Sequence, residues 1–247
     1  LQHEPVKLRL RLDNHLRRGN SWNIVGEIPG QNGNENQLIM FGAHIDGHDI
    51  SQAANDNASG VVAISEVARV LVMQRQHLPR PLRFVCFGGE ELGLLGSYAY
   101  VSQHPEDMDN IQFMFNLDVV GGSGPIRFMT ENARELVPYF KQMGMDLAPD
   151  MLVEDMLVPF SDHYPFVLQG VPAAEVGVRG NPGTRGWGHT AADTLEKVNV
   201  QSIRQVAALM ARVAVRMGND LVPWPGHHRT LDEVKAALQT YGVQGAP

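Results

Sequence analysis

Five short blocks of this 247-residue chain carry side chains of the kind that bind metals or move protons. They are His44-Ile45-Asp46, Asp56 within Ala54-Asn55-Asp56-Asn57-Ala58-Ser59-Gly60, Glu90-Glu91 after Gly88-Gly89, Asp118 after Asn116-Leu117, and His189 within Trp187-Gly188-His189-Thr190. Each block alone has an ordinary reading. A histidine after a strand is commonly a loop residue, and a Glu-Glu pair ahead of a helix is favourable charge at its N-terminus. Asp-Asn-x-Ser-Gly is a loop with a helix cap. Together, however, the blocks offer two imidazoles and several carboxylates, a donor set that suits zinc and also admits manganese or cobalt. The single cysteine, Cys86, lies in the apolar run Phe84-Val85-Cys86-Phe87 and reads as a buried, inert thiol. No thiolate is offered to a metal, so the donors are oxygen and imidazole nitrogen.

Something must bring residues so far apart in sequence to one place. Apolar runs at Asn23 to Ile28, Leu38 to Ala43, Leu82 to Phe87, Ile111 to Leu117, Ile126 to Met129 and Ala173 to Val178 read as strands. Helical spacing appears from Ala58, where Ile64, Val67, Ala68 and Leu71 share a face, over Gly93 to Gln103, and over Glu131 to Met143. It is clearest over Val200 to Met217, with Ile203, Val206, Ala207, Met210, Val213, Ala214 and Met217 on one side, and it returns over Leu231 to Leu238. Strands alternating with helices predict an α/β fold, a mainly parallel mixed sheet covered by helices on both faces. In such a sheet functional residues gather outside the carboxyl ends of the strands. All five blocks stand at strand ends or in the loops that follow.

Composition narrows the classes further. The chain has 20 Lys+Arg against 27 Asp+Glu, a formal net charge of −7, which argues against a nucleic-acid-binding domain. No apolar stretch reaches the roughly 18–20 residues of a membrane span. One cysteine excludes an intramolecular disulfide framework. A single catalytic domain over 1–247 is expected, with 226–247 as a C-terminal extension. The chain opens without an initiator Met on an apolar/basic alternation, Val6 to Leu12, that reads as a half-exposed strand. Residues 1–12 are therefore expected to be the end of a missing amino-terminal or inserted domain.

The blocks Gly42-Ala43-His44-Ile45-Asp46, Ala54 to Gly60, Glu90-Glu91-Leu92-Gly93-Leu94-Leu95-Gly96-Ser97, Asn116-Leu117-Asp118, Ser161-Asp162-His163 and His189-Thr190-Ala191-Ala192-Asp193-Thr194 resemble the signature blocks of the co-catalytic zinc exopeptidases. That family includes bacterial leucyl aminopeptidases and glutamate carboxypeptidase, and the resemblance covers about Asn23 to Met217. It implies a phosphorylase/hydrolase-like three-layer sandwich and two Zn²⁺ per chain. His44 and Asp118 would hold one ion, Glu91 and His189 the other, and Asp56 would bridge them. Glu90 would be the general base and Asp46 would orient His44. The implied activity is removal of the N-terminal residue of a peptide substrate by a metal-activated water.

The resemblance leaves alternatives. The metal centre is common to aminopeptidases and to carboxypeptidases of the glutamate carboxypeptidase type. Glutaminyl cyclase uses the same architecture with one metal, and receptor-like domains keep the fold without catalysis. Export to the periplasm or outside the cell is implied by the relatives, and the oligomeric state is not encoded. His163 is expected beside the site without ligating metal, and Asp193 to brace the turn into the last long helix. His48 and Asp49 read as solvated loop residues, and His227-His228 as a surface pair. Arg179, Arg185 and Trp187 are candidate substrate contacts. Val158 stands where some aminopeptidases place an oxyanion-steadying tyrosine, leaving metal, Tyr164 or a backbone N–H for that task.

Overall fold

Alternation along the central strands builds two cores at once. In a strand, successive side chains point to opposite faces. In β2 (Leu38–His44), Ile39, Phe41 and Ala43 join one buried cluster while Leu38 and Met40 join another. β3 (Leu82–Phe87) splits the same way, Leu82 and Phe84 from Val85 and Phe87. β4 (Ile111–Leu117) is buried at every position and sends Phe113 and Phe115 to the first face and Met114 to the second. Each fully buried Phe here contributes about 1.5–3 kcal/mol through area removed from water.

The computed structural model describes residues 7–243 apart from 14, 16–17, 32–36, 132, 145, 179–185 and 220. Seven strands form one sheet in the order β1-β3-β2-β4-β7-β5-β6, with β1 (Ile24–Ile28), β5 (Ile126–Thr130), β6 (Leu152–Asp155) and β7 (Ala173–Val178) completing it. The β3–β2, β2–β4, β4–β7 and β5–β6 pairs are parallel, and β1–β3 and β5–β7 are antiparallel. One face is covered by α1 (Ser59–Val72), α4 (Leu136–Gly144) and α6 (Val200–Gly218). The other is covered by α2 (Leu95–Gln103), α3 (Pro105–Met108), α5 (Tyr164–Leu168) and α7 (Leu231–Thr240). The expected mainly parallel mixed sheet with helices on both faces is the observed fold. Among the described residues no helix is long and apolar enough to cross a membrane.

Caps set the long helices. Asn199 accepts the Gln201 and Ser202 N–H groups at the start of α6, and Thr230 and Glu233 form a reciprocal capping box on α7.

Two expectations need correction, and three short elements went unannounced. Residues 7–12 form no strand, and Leu8, Leu10 and Leu12 are exposed; alternation gives a strand its period but not a partner to pair with. The helix expected from Glu131 begins only at Leu136, because Glu131 turns inward and Ala133 donates its N–H to Asp155. β6, α3 and α5, each five residues or fewer, were too short to announce themselves by periodicity.

Candidate metal centre

The parallel register delivers the ligand-type side chains to one edge. His44 ends β2 opposite Phe87, the last residue of β3, so the Gly88–Glu91 loop lies beside it. Gly42 pairs with Asn116, which brings Asp118 alongside as β4 ends. His44 Nε2 lies 3.2 Å from Asp56 Oδ1, 3.4 Å from Asp118 Oδ1 and 4.0 Å from Glu90 Oε2. His189 Nε2 lies 3.2 Å from Asp56 Oδ2 and 3.1 Å from Glu91 Oε2. The two oxygens of Asp56 thus face two different imidazoles, one paired with Asp118 and the other with Glu91. His189 adopts φ 58°, and Gly188 before it passes so close that a Cβ there would sit 2.9 Å from Asp56 Oδ2. A side chain at Gly188 would push the His189 loop off the site.

Most of the polar residues around these side chains are fasteners. The Asp193 carboxylate accepts the N–H groups of Asn55 (2.8 Å) and Asp56 (3.0 Å). It therefore holds the loop that carries Asp56 rather than the turn into α6, a correction to the sequence reading. Asn55 accepts the Gly121 N–H, Ser59 that of Val120, and Asn57 those of Gly60 and Val119 while donating to the Leu117 carbonyl. These bonds tie the Asp56 loop to the Asp118 loop from both sides. Asp46 also works differently from expectation. Its backbone carbonyl accepts from His44 Nδ1 at 3.1 Å, whereas its carboxylate is 3.8 Å away and instead receives the N–H groups of Gly89, Glu90 and Glu91. It orients His44 through the main chain and the two glutamates through its side chain. Ser161 donates to Asp118 Oδ2 at 2.8 Å and accepts from Asn116, fixing the remaining oxygen of that carboxylate.

Electrostatics ask for a cation. Asp118 Oδ1 and Glu91 Oε1 are buried with no hydrogen-bond partner among the described residues, and buried carboxylate oxygens are costly to leave so. Burial alone would push the His44 imidazole down, yet the Asp118 and Asp56 carboxylates beside it hold it up at about 12. A proton on His44 is the cation that these carboxylates gather when no metal supplies the charge. With the proton on Nδ1 donated to the Asp46 carbonyl, the Nε2 lone pair faces the same point as Asp56 Oδ1 and Asp118 Oδ1. Donor atoms around a tetrahedral zinc stand roughly 3.3–3.5 Å apart, close to the separations in both clusters. Glu90 is not among the closest donors. Burial first, then the Asp118, Asp162 and Glu91 carboxylates, push it up to about 8 against the opposing pull of His44.

Behind the centre His163 is buried, with Nε2 3.0 Å from the Val158 carbonyl and 3.3 Å from Glu131, whose other oxygen accepts the Val158 N–H. Tyr164 packs in the same apolar cluster as Leu157 and Phe166. Burial would push His163 down, but Glu131, with Glu175 and the Val158 carbonyl, holds it up at about 9. Because the folded value lies above the ordinary 6.5, the protonated form stabilises fully below about pH 6.5 and loses that contribution as pH rises through about 9. The melting-temperature gap between wild type and His163→Gln is expected to be several degrees at pH 6 and to narrow by pH 10. A gap constant across that range would mean that His163 is held neutral.

Outside the centre, His227 is exposed as expected, whereas His228 is half-buried and its Nε2 meets the Ile111 carbonyl at 2.8 Å. Trp187 is half exposed with Lys197 Nζ 4.8 Å above its ring, while Arg179 and Arg185 lie outside the described residues. A cavity of about 1180 Å³ opens beside Glu91 and His48, and Trp22, Ile50, Leu92 and Leu95 contribute exposed apolar surface to it.

A mixed sheet with imidazole and carboxylate donors at its carboxyl edge is the architecture of metal-dependent hydrolases, and the family follows from the sequence. The profile of peptidase family M28 matches residues 23–214, and the chain belongs to that family. It is 32% identical over 209 residues to the aminopeptidase YwaD of Bacillus subtilis, covering 77% of this chain and 43% of that protein. It superposes on BSAP, a zinc aminopeptidase from Bacillus subtilis, with a TM-score of 0.69 and 28% identity over 78% of this chain and 49% of the other. A glutaminyl cyclase from an Acidobacteriales bacterium, at 22% identity and a TM-score of 0.67 over 80% of this chain and 73% of its own, shares the fold. The chain spans about half the length of these two aminopeptidases.

Proposed function

We propose that the chain is a two-zinc exopeptidase, an aminopeptidase that releases the N-terminal residue of peptides with Glu90 as general base. The observation that carries this reading is Asp56, whose two oxygens each stand 3.2 Å from a different imidazole, His44 and His189. His44, Asp118 and one oxygen of Asp56 would hold one ion, and His189, Glu91 and the other oxygen of Asp56 the second. Bound there, the ions would polarise the scissile carbonyl and make a water more acidic. Glu90 would take the proton of the water that attacks the carbonyl carbon, and would hand it to the amide nitrogen as that bond breaks. Its backbone N–H is tied to Asp46, which keeps its loop fixed.

The four charges of two zinc ions are matched by Asp56, Glu91, Asp118 and Glu90, which leaves no excess positive charge to repel a substrate's protonated α-amine. The exposed Trp22, Ile50, Leu92 and Leu95 at the adjoining cavity favour an apolar N-terminal side chain. Relatives described as zinc aminopeptidases support the same assignment. Hydrolysis of aminoacyl-p-nitroanilides is expected, faster for Leu than for Glu, with no cleavage of N-blocked peptides. Cleavage confined to N-blocked peptides with a free C-terminus would instead identify a carboxypeptidase. Cyclisation of N-terminal glutamine with one bound ion would identify a glutaminyl cyclase.

A further inference from the structure

His48 follows Asp46 by two positions, and the sequence reads it as a solvated loop residue. The structure turns it toward the centre instead. Its Nε2 lies 2.9 Å from Glu91 Oε2, the same oxygen that His189 Nε2 approaches at 3.1 Å. The two rings stand 4.2 Å apart between centroids and are tilted by 52°, so their edges converge on one oxygen instead of stacking in parallel. His48, Glu91 and His189 together form a group whose donor atoms all lie within 4.8 Å of one another.

The backbone holds His48 there. Its carbonyl accepts both the N–H (2.9 Å) and the hydroxyl (3.2 Å) of Ser51, and the Ser51 hydroxyl accepts the Ala53 N–H. Gly47 lies so close to the loop leading to Asp56 that a Cβ there would meet that of Ala53 at 2.1 Å. The main chain of His48 is therefore presented by a tight turn seated on the loop that carries Asp56.

We propose that His48 is a sixth protein ligand of the centre, adding a second imidazole to the outer position formed by Glu91, His189 and Asp56. The proposal rests on the two-metal reading above. The ordinary competing role is a hydrogen bond in which a protonated Nε2 donates to Glu91. That role would place two imidazole N–H groups, from His48 and His189, on a single carboxylate oxygen, while Glu91 Oε1 stays buried without a partner. Ligation uses the same convergence differently, with the Nε2 lone pairs of both rings and Glu91 directed at one cation. It would give the outer position two nitrogens and two oxygens from the protein, with water or a substrate carbonyl joining as a fifth ligand, an expansion that catalytic zinc permits.

The test compares the zinc-loaded full chain with His48→Ala and His48→Gln. Gln can still donate an N–H to Glu91 but is a poor zinc ligand. Zinc X-ray absorption is expected to count about 1.5 imidazoles per zinc in wild type and about 1 in both variants. Titration with Co²⁺, followed by its visible absorption, is expected to show the weaker of the two binding steps shifted by about 10- to 100-fold in both variants. The stronger step should be unchanged. Two ions with wild-type affinity and spectra in His48→Gln would reduce His48 to a hydrogen-bond donor and overturn the proposal, leaving the two-metal reading intact. Failure of the wild-type chain to take up a second ion would overturn that reading, and the proposal with it.

Discussion

Glu90→Gln is expected to keep both metal ions and to lose turnover by roughly 10²- to 10⁴-fold, the range that a positioned acid–base group supplies. The geometry makes this a clean substitution. Glu90 Oε2 stands 4.0 Å from His44 Nε2, outside the closer ring of Asp56 and Asp118, so removing its charge subtracts no ligand. Its main chain is held by Asp46, and Glu91 next to it keeps the same anchor. The amide of Gln fills the same space but cannot accept the water's proton and pass it on. Metal content by atomic emission should therefore match wild type while kcat collapses and KM changes little. Near-normal hydrolysis by Glu90→Gln would remove Glu90 from the mechanism.

The second large effect is expected from Asp56→Ala, and it is of the opposite kind. Asp56 touches both imidazoles, so its loss takes a donor from each position at once. The variant should bind less than one ion per chain at metal concentrations that saturate wild type, and hydrolysis should fall below detection. It should also lose the part of wild-type thermal stability that bound metal confers, since a ligand binding only the folded state stabilises it in proportion to its occupancy. The fold should survive, because Asp193 holds the loop through the backbone N–H groups of Asn55 and Asp56 and not through the deleted carboxylate. Asp56→Asn separates the roles: one oxygen remains, and one ion should be retained. Full occupancy in Asp56→Ala would show that each position is complete without the bridge.

How much of this could be read from the sequence depended on whether a residue's role was local. β2, β3, β4 and β7 declare themselves as apolar runs, and a parallel sheet must align their ends, so His44, Glu90, Glu91 and Asp118 were legible as a group. His189 stands outside any strand and was located by its resemblance to a family block. The fasteners were not legible, because their partners are remote in sequence. Asp193 bonds to Asn55 and Asp56, 137 or more positions away, and Asn57 to Leu117, 60 positions away. No local spacing encodes such pairs. Asp46 was assigned the right neighbour but the wrong atoms, since sequence does not say whether a carbonyl or a carboxylate meets His44. Residues 7–12 failed in the reverse direction, carrying a strand's rhythm with nothing to pair against.

The two halves of the centre differ in depth. His44 is 1% exposed at the end of a buried strand, whereas the side chains of His189 and His48 are 61% and 38% exposed. Solvent reaches His189 and His48 far more readily than His44, while the carboxylates of both halves are mostly buried. On the two-zinc proposal, an ion held by His189 would trade with its surroundings faster than one held by His44. On the same proposal, a falling zinc supply would empty the outer position before the inner one.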